Sequence, residues 1–317
     1  ESRELSDRPR EFLKSSDLSP EQFREVVALG LDFKLHPEKY TTAMANKTLL
    51  MFFEKPSLRT RVSLETAMTK LGGHAIYYPI NSLAPLGKKE TVFDTARVIT
   101  GMVDVVCARL NSQADTEELS HNLDIPFLSA MSPDAHPLQM LADAMTILEF
   151  KHSFEGLTFT YCGDFQNVAF DLMRMCALTG MNCRVAGPTG PGYGIPAEIL
   201  AEVEELHRKA GTTFTICKTV EEAVTGTDAI YCDSFMSYGI PQEELDARLA
   251  ILMPFQVKEE HLEMANPGCL FMNCLPAKRG YEQTAGVIDG PHSVVFPQAH
   301  NRMHSAIGAL LWFTKSA

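Results

Sequence analysis

Cationic and donor-rich side chains of this sequence cluster where an apolar run gives way to a helical pattern. The stretch EKPSLRTRVSLETAM (54–68) places Arg59 and Arg61 two residues apart, soon after the apolar run TLLMFF. Pro56 cannot donate a hydrogen bond to a strand ladder, and Ser57 is a residue type that caps helices. The first turn of a helix offers free N–H groups and the positive end of its dipole, so arginines added there predict a phosphate site.

Each candidate pattern also has an ordinary structural interpretation. Two arginines two positions apart on a helix point to different faces and can both be solvated. His136 in the pair His-Pro can simply begin a helix, and Cys274 can be a buried thiol. Lys88 and Lys89, in the loop NSLAPLGKKE, can be a solvated charge pair. The functional interpretation therefore depends on where these residues lie in the fold.

Polar side chains follow the ends of several other apolar runs. In open parallel sheets, ligands bind outside the carboxyl ends of the strands. The first half of the chain places there Ser57, Arg59, Thr60, Arg61, Arg109, His136 and Gln139. The second half places there Asp164, Asn167, Asp233, Ser237 and Cys274, and Arg302 lies at the start of a closing helical pattern. The first group suits an anion, and the second suits a ligand that carries an amine.

The elements that must position these residues alternate between strand and helix patterns along the whole chain. This alternation predicts an α/β fold of two domains, each a parallel sheet flanked by helices. We expect one domain over residues 1–150, with a C-terminal helix over 300–317 packing back on it, and the other over residues 151–299. Just before the closing helix, SVVFPQ (293–298) has the pattern of a short strand.

Composition narrows the classes of function. The 317 residues carry a formal net charge of −12, so nucleic acid and anionic membranes are poor candidate partners. No run approaches the roughly 18 apolar residues of a membrane span. Among eight cysteines there is no C-x-x-C pair, and four are expected to be buried thiols rather than disulfide or zinc ligands. These four are Cys107, Cys162, Cys217 and Cys232.

The motif SLRTR resembles the S-T-R-T-R of the aspartate/ornithine carbamoyltransferase family. HPLQ (136–139) resembles its H-P-x-Q, and DTARV (94–98), Arg109 and AHNR around Arg302 also match. The resemblance covers nearly the whole chain. It implies that carbamoyl phosphate is bound by Ser57, Leu58, Arg59, Thr60, Arg61, Arg109, His136, Gln139 and Arg302. It also implies catalytic roles for Arg59, Arg109, His136 and Cys274.

The resemblance further implies how the protein assembles and where it acts. The family is typically a trimer of identical chains, with each site completed by a loop from the neighbouring chain. Lys89, or Lys88, would make that contact here. Pro85 stands where the family often has the polar residue that does so. No metal and no cofactor are implied, and the partners are small-molecule substrates. A cytoplasmic location is expected, with the mitochondrial matrix as the alternative if a leader has been removed.

The acceptor amine depends on the second half of the chain. DSFMSYG (233–239) and NCLP (273–276) resemble the D-x-W-x-S-M-G and H-C-L-P of members that use ornithine. This implies ornithine contacts at Asn167, Asp233, Ser237, Tyr238, Cys274 and Leu275. Phe235, Tyr238 and Asn273 depart from the family pattern. Two alternatives therefore stay open. One is putrescine or another amine as acceptor, since CLPAKRGYEQTAGVIDG resembles putrescine enzymes, and the other is a binding protein without turnover.

Overall fold

The computed structural model describes residues 8–80, 86–190, 192–236 and 241–315. The chain divides into two compact units, one made of residues 1–145 with 300–317 and the other of residues 146–299. Each unit contains one parallel five-stranded sheet flanked by helices. The predicted fold class is therefore confirmed.

The sheet of the first unit has the strand order β1-β5-β4-β2-β3, and all of its strand pairs are parallel. The strands are β1 (Glu11–Phe12), β2 (Thr48–Phe53), β3 (His74–Pro79), β4 (Val105–Arg109) and β5 (Phe127–Met131). The helices between them are α1 (Pro20–Leu35), α2 (Leu58–Lys70), α3 (Val92–Thr100) and α4 (Gln113–Asn122). Helix α5 (Pro137–Lys151) follows the last strand. The carboxyl ends of β2, β4 and β5 thus precede the segments that carry the predicted phosphate ligands.

The sheet of the second unit has the order β10-β9-β6-β7-β8 and is also parallel throughout. The strands are β6 (Thr158–Cys162), β7 (Asn182–Ala186), β8 (Phe214–Cys217), β9 (Ala229–Cys232) and β10 (Leu270–Asn273). The helices are α6 (Asn167–Thr179), α7 (Ala197–Ala210), α8 (Val220–Val224), α9 (Leu245–Leu252), α10 (Glu259–Met264), α11 (Ala285–Ile288) and α12 (Val295–Phe313). Helix α12 continues into the first unit at residue 300.

Local sequence explains several of these boundaries. Ser19 caps α1 ahead of Pro20, and its hydroxyl accepts from the Gln22 N–H at 3.2 Å. Gly211 ends α7 in the left-handed conformation, with a φ of 70°. The four cysteines predicted to be buried are at most 4% exposed, which confirms that expectation. In the described ranges, none of the helices combines the length and apolar character needed to cross a bilayer.

The structure corrects one predicted element and adds several that the sequence patterns did not predict. Residues 293–298 do not form a strand, because helix α12 already begins at Val295. Pro297 is compatible with this position, since the first turn of a helix leaves its N–H groups without intrahelical partners. Helix α4 and strand β5 were not expected, although β5 joins β1 to β4 in the first sheet. The division between the two units falls inside α5, between Met145 and Thr146.

Helices α1 and α12 approach each other closely through two glycines. A Cβ atom on Gly308 would lie 2.4 Å from the Val26 carbonyl oxygen and 2.9 Å from the Gly30 nitrogen. A Cβ atom on Gly30 would lie 2.8 Å from the His304 carbonyl oxygen. The backbone of the helix that carries Arg302 is therefore held against α1 at a distance that only glycine permits.

We expect Gly308→Ala to lower the unfolding free energy by about 1–3 kcal/mol, because the added methyl group must push two helix backbones apart. Thermal unfolding of the purified protein measures the effect. Gly101→Ala is the matched control, since a Cβ at Gly101 meets its nearest atom at 3.7 Å and the residue is exposed. Equal melting temperatures for the two variants would show that the close approach has no energetic consequence.

Candidate active site

Four side chains of the first unit form a continuous hydrogen-bonded chain. Ser57 caps α2, and its hydroxyl contacts both the Thr60 N–H, at 3.4 Å, and the Thr60 hydroxyl, at 3.0 Å. Arg302, on α12, donates from Nη2 to Thr60 Oγ1 at 3.3 Å and from Nη1 to Gln139 Oε1 at 2.6 Å. One guanidinium therefore fixes the first turn of α2 relative to the first turn of α5.

The buried carboxylate of Asp143 supports the Gln139 end of this hydrogen-bonded chain. The amide nitrogen of Gln139 donates to Asp143 Oδ1 at 2.8 Å, one turn further along α5. Both side chains are at most 1% exposed. The bond fixes which way the Gln139 amide is turned, so that its oxygen accepts from Arg302. The i, i+4 spacing of Gln139 and Asp143 was a usable sequence signal, since such residues share one helix face.

His136 lies among positive charges at the start of α5. Burial lowers the pKa of His136 well below its ordinary value, and the charges of Arg302, Arg109 and Arg59 lower it further. The imidazole is therefore neutral around pH 7 and can act as a hydrogen-bond donor without carrying a proton in excess. The structure thus groups three of the predicted arginines around the predicted histidine.

Arg109 is positioned by the end of its own strand. The ladder between β4 and β5 has an irregularity between Ala108 and Arg109, and the Arg109 carbonyl accepts from the Glu54 N–H at 2.9 Å. Its side chain is 9% exposed. Arg109 also acts on Lys55, whose pKa is lowered first by burial and then by the guanidinium charge. Two cationic side chains, Arg109 and Lys55, therefore lie close enough to interact after β4 and β2 end.

Arg61 does not share this arrangement. Its Nε donates to Glu65 Oε1 at 2.8 Å, and its guanidinium lies 4.1 Å from the centre of the Tyr77 ring. The side chain is exposed, and it pairs with Glu65, one turn further along α2, although Arg61 directly follows Thr60. Arg59 and Arg61 therefore differ in their surroundings, because Arg59 acts on His136 whereas Arg61 pairs with Glu65. The two-residue spacing explains the difference, since it turns the arginines to different helix faces.

Leu58 lies in the same turn as the predicted phosphate ligands and is 75% exposed. It is the first residue of α2, directly after the Ser57 cap. Backbone N–H groups at such a position have no intrahelical acceptor and can bind an anion. The contribution of Leu58 to a phosphate site would therefore come from its backbone.

In the second unit, predicted acceptor ligands follow three strands. Asp233 follows β9 and Cys274 follows β10, and the Cys274 thiol donates to Asp233 Oδ1 with an S···O distance of 3.1 Å. Burial raises the pKa of Asp233 above its ordinary value, while the bonds from Cys274 and the Ser234 N–H lower it. Asn167 begins α6 after β6, and its Oδ1 lies 2.9 Å from the Val168 nitrogen. The structure therefore brings Asp233 and Cys274 into direct contact.

Two residues that depart from the family pattern, Phe235 and Asn273, are accommodated by packing and by hydrogen bonds. Phe235 is fully buried, and a Cβ at Gly163 would lie only 3.1 Å from its ring. Asn273 Oδ1 accepts from the Leu275 N–H at 2.7 Å, and Asn273 Nδ2 donates to Gln283 at 3.3 Å. Leu275 has a φ of 55°, and the peptide bond to Pro276 is cis. Asn273 thus holds the backbone that presents the Leu275 carbonyl.

Some predicted positions lie outside the described residues, namely Ser237, Tyr238 and Pro85. Lys88 and Lys89 are described and exposed, between β3 and α3. Over the described ranges, no group of three or more His, Cys, Asp or Glu side chains is arranged to hold a metal ion.

A buried carboxylate near Asp233 was missed from the sequence. Glu282 is fully buried, and its Oε1 accepts from the Lys278 N–H at 2.7 Å, which fixes the segment after Pro276. Burial raises the pKa of Glu282 to about 7, against the lowering effect of backbone N–H groups. The negative charge of Asp233 raises it further. No local pattern marked Glu282, because its burial depends on the segments that surround it.

Family models match both halves of the chain. The model described as "Aspartate/ornithine carbamoyltransferase, carbamoyl-P binding domain" matches residues 10–149. The model described as "Aspartate/ornithine carbamoyltransferase, Asp/Orn binding domain" matches residues 155–314. The chain therefore belongs to the aspartate/ornithine carbamoyltransferase family, as the motifs indicated.

Individual relatives agree with this assignment. The chain is 39% identical over 299 residues to an ornithine carbamoyltransferase of Anoxybacillus flavithermus, which covers 93% of this chain and 94% of that protein. It is 41% identical to one from Picrophilus torridus, over 95% of this chain and 98% of the other. Among solved structures, ornithine transcarbamoylase from Giardia lamblia has a TM-score of 0.89 and 43% identity, with 98% and 100% coverage.

We expect Glu282→Gln to change how stability depends on pH. The folded protein retains the Glu282 proton up to about pH 7, whereas the unfolded chain releases it near the ordinary value of 4.5. The unfolding free energy of the native protein therefore falls as pH rises through this window, by roughly 2–3 kcal/mol for this one group. Glutamine does not titrate, so the variant lacks this loss.

Urea unfolding at several pH values between 4.5 and 8 measures the difference between the variant and the native protein. The exposed Glu244→Gln is the control. A difference that stays constant across the window for Glu282→Gln would contradict the prediction.

Proposed function

We propose that the protein transfers the carbamoyl group of carbamoyl phosphate to the side-chain amine of L-ornithine, forming citrulline and phosphate. The observation that carries the proposal is the chain Ser57–Thr60–Arg302–Gln139 beside a neutral His136. Family membership supports the reaction, and the names of the relatives from Anoxybacillus, Picrophilus and Giardia support ornithine as acceptor.

The first half of the chain, residues 1–150 with 300–317, is proposed to bind carbamoyl phosphate. Ser57, Leu58 and Thr60 supply hydroxyl and backbone donors at the start of α2, and Arg59 and Arg302 supply charge. Arg61 remains a predicted ligand only if it leaves Glu65. Gln139 faces Arg302 with its oxygen and is proposed to orient the carbamoyl amino group.

His136 and Arg109 are proposed to act on the carbonyl oxygen. When the amine nitrogen attacks the carbamoyl carbon, negative charge grows on that oxygen before the bond to phosphate breaks. A neutral imidazole N–H and a guanidinium that are already in place stabilise this charge without reorganisation, typically by about 3 kcal/mol for each donor. The amine loses a proton to the solvent or to the departing phosphate.

The second half, residues 151–299, is proposed to bind ornithine. Asp233 would accept from the α-ammonium group, while Asn167 and Ser237, with Tyr238 beside it, would hold the amino-acid end. Cys274 and the Leu275 carbonyl would contact the side-chain amine, which must be neutral to attack. The contact between Cys274 and Asp233 supports this grouping.

We also propose a homotrimer in which Lys89 reaches the site of a neighbouring chain. Its exposure between β3 and α3 supports this role, since a residue that serves another chain must lie at the surface. A cytoplasmic location is part of the same proposal.

Incubation with carbamoyl phosphate and, in parallel, ornithine, putrescine, aspartate and acetylornithine tests the proposal. We expect ornithine to be carbamoylated fastest, with citrulline and phosphate formed in equal amounts. His136→Ala should lower kcat on the order of 10²-fold, because one donor to the developing oxyanion is lost. The exposed His36→Ala is the control. Faster turnover of another amine would replace the acceptor, and no turnover of any amine would favour a binding protein.

Co-refolding Lys89→Ala chains with Arg59→Ala chains tests the shared site. Each variant alone should be strongly impaired. If Lys89 acts on a neighbour, random trimers contain intact sites at about one quarter of their interfaces, so activity should return. Citrulline formation by the mixture, compared with each variant refolded alone, is the measurement. A mixture no more active than the average of its components would rule out a shared site.

A further inference from the structure

Two carboxylates lie at the ends of adjacent strands in the second unit. Asp164 follows β6 and Asp233 follows β9, and the two strands pair with Tyr161 opposite Tyr231. Asp164 is 2% exposed. The negative charge of Asp164 raises the pKa of Asp233, so the two carboxylates interact. Of these two carboxylates, only Asp233 is proposed to contact ornithine. No contact with a substrate has been proposed for Asp164.

Arg248, on α9, contacts both the first carboxylate and the backbone beside the second. Its Nη2 forms an ion pair with Asp164 Oδ2. Its Nε donates to the Phe235 carbonyl at 3.1 Å, two residues after Asp233. The guanidinium also lies 5.5 Å from the centre of the Tyr193 ring. A single side chain that is 11% exposed therefore neutralises Asp164 and fixes the segment that carries Asp233.

Arg248 supplies the positive charge that balances Asp164. Gln166 Nε2 also donates to Asp164 Oδ2, at 3.2 Å, but this amide carries no charge. A buried carboxylate without a counter-charge is strongly disfavoured, so the state of Asp164 depends on Arg248. Without the guanidinium, Asp164 would take up a proton unless it could pair with an ammonium group of the ligand, next to the place where Asp233 is proposed to bind the α-ammonium group.

On the basis of the proposed function, we propose that Arg248 is a specificity-determining residue that selects an amino acid over a diamine as acceptor. By neutralising Asp164, it leaves Asp233 as the one carboxylate of the pair that can bind an ammonium group. Ornithine with a neutral side-chain amine carries one positive and one negative charge, whereas putrescine with one neutral amine carries a positive charge only. Once Arg248 is removed, a second carboxyl group can ionise beside the ammonium group of a diamine, whereas the ornithine carboxylate disfavours its ionisation.

Three variants test the role of charge. Arg248→Gln should lower kcat/KM for ornithine by about tenfold or more, mainly through KM, and shift the ornithine-to-putrescine ratio toward putrescine. Asp164→Asn, which leaves the arginine without its partner, should shift the ratio the opposite way. The double variant Asp164→Asn/Arg248→Gln removes both charges and should bring the ratio back toward that of the native protein.

Steady-state kinetics with both amines gives the ratio of kcat/KM for ornithine to kcat/KM for putrescine. Where the turnover of putrescine is too slow to measure, its inhibition constant against ornithine is used instead. Arg208→Gln is the matched control, because Arg208 forms an exposed pair with Glu205 on α7. If Arg248→Gln does not fold, the opposite shift in Asp164→Asn still decides the question.

The proposal would be overturned if the ratio were unchanged in the single variants. It would also be overturned if kcat/KM fell equally for both amines in the single and double variants, because Arg248 would then have only a structural role. Failure of the native protein to use ornithine would instead overturn the proposed function. The two failures are therefore distinguishable in one set of assays.

Discussion

A buried guanidinium that must be satisfied governs the first unit. Arg302 is 4% exposed, and removal of such a charge from water is costly unless nearby oxygens accept its hydrogen bonds. Thr60 and Gln139 supply them, and Asp143 in turn fixes the Gln139 amide. The starts of two helices and the middle of a third are thus held at one point, so the donors are in place before a ligand arrives.

The second unit uses charge in a different way. Three buried acids of this unit, two of them at strand ends, are each restrained by a hydrogen-bond donor. Asp164 is held by Arg248, Asp233 by the thiol of Cys274, and Glu282 by the Lys278 N–H. Burial raises the pKa of each of these three carboxyl groups, so these restraints are what keep charge at defined places.

Features that depend on short stretches of sequence could be predicted, whereas contacts between residues far apart in the sequence could not. The Ser57 cap, the buried cysteines and the two-sheet fold follow from short patterns of residue type. The mistaken strand over 293–298 arose because an apolar run before a proline fits a strand or a first helical turn equally well. Arg248 and Asp164 are separated by 84 positions, and Arg302 and Gln139 by 163. No local window contains both partners, so only the fold reveals that Arg248 has a counter-charge.

The first unit contains both the beginning of the chain and the end of helix α12, which affects the order in which its parts are synthesised. Arg302 is translated 242 positions after Thr60, which at 5–20 residues per second is a delay of roughly 10–50 s. During that time the strands of the first sheet exist without the guanidinium that joins α2 to α5. Residues 146–299, which are continuous in sequence, are complete before it. On the ribosome, the unit begun first is therefore finished last, and the starts of α2 and α5 are joined by Arg302 only when synthesis is nearly complete.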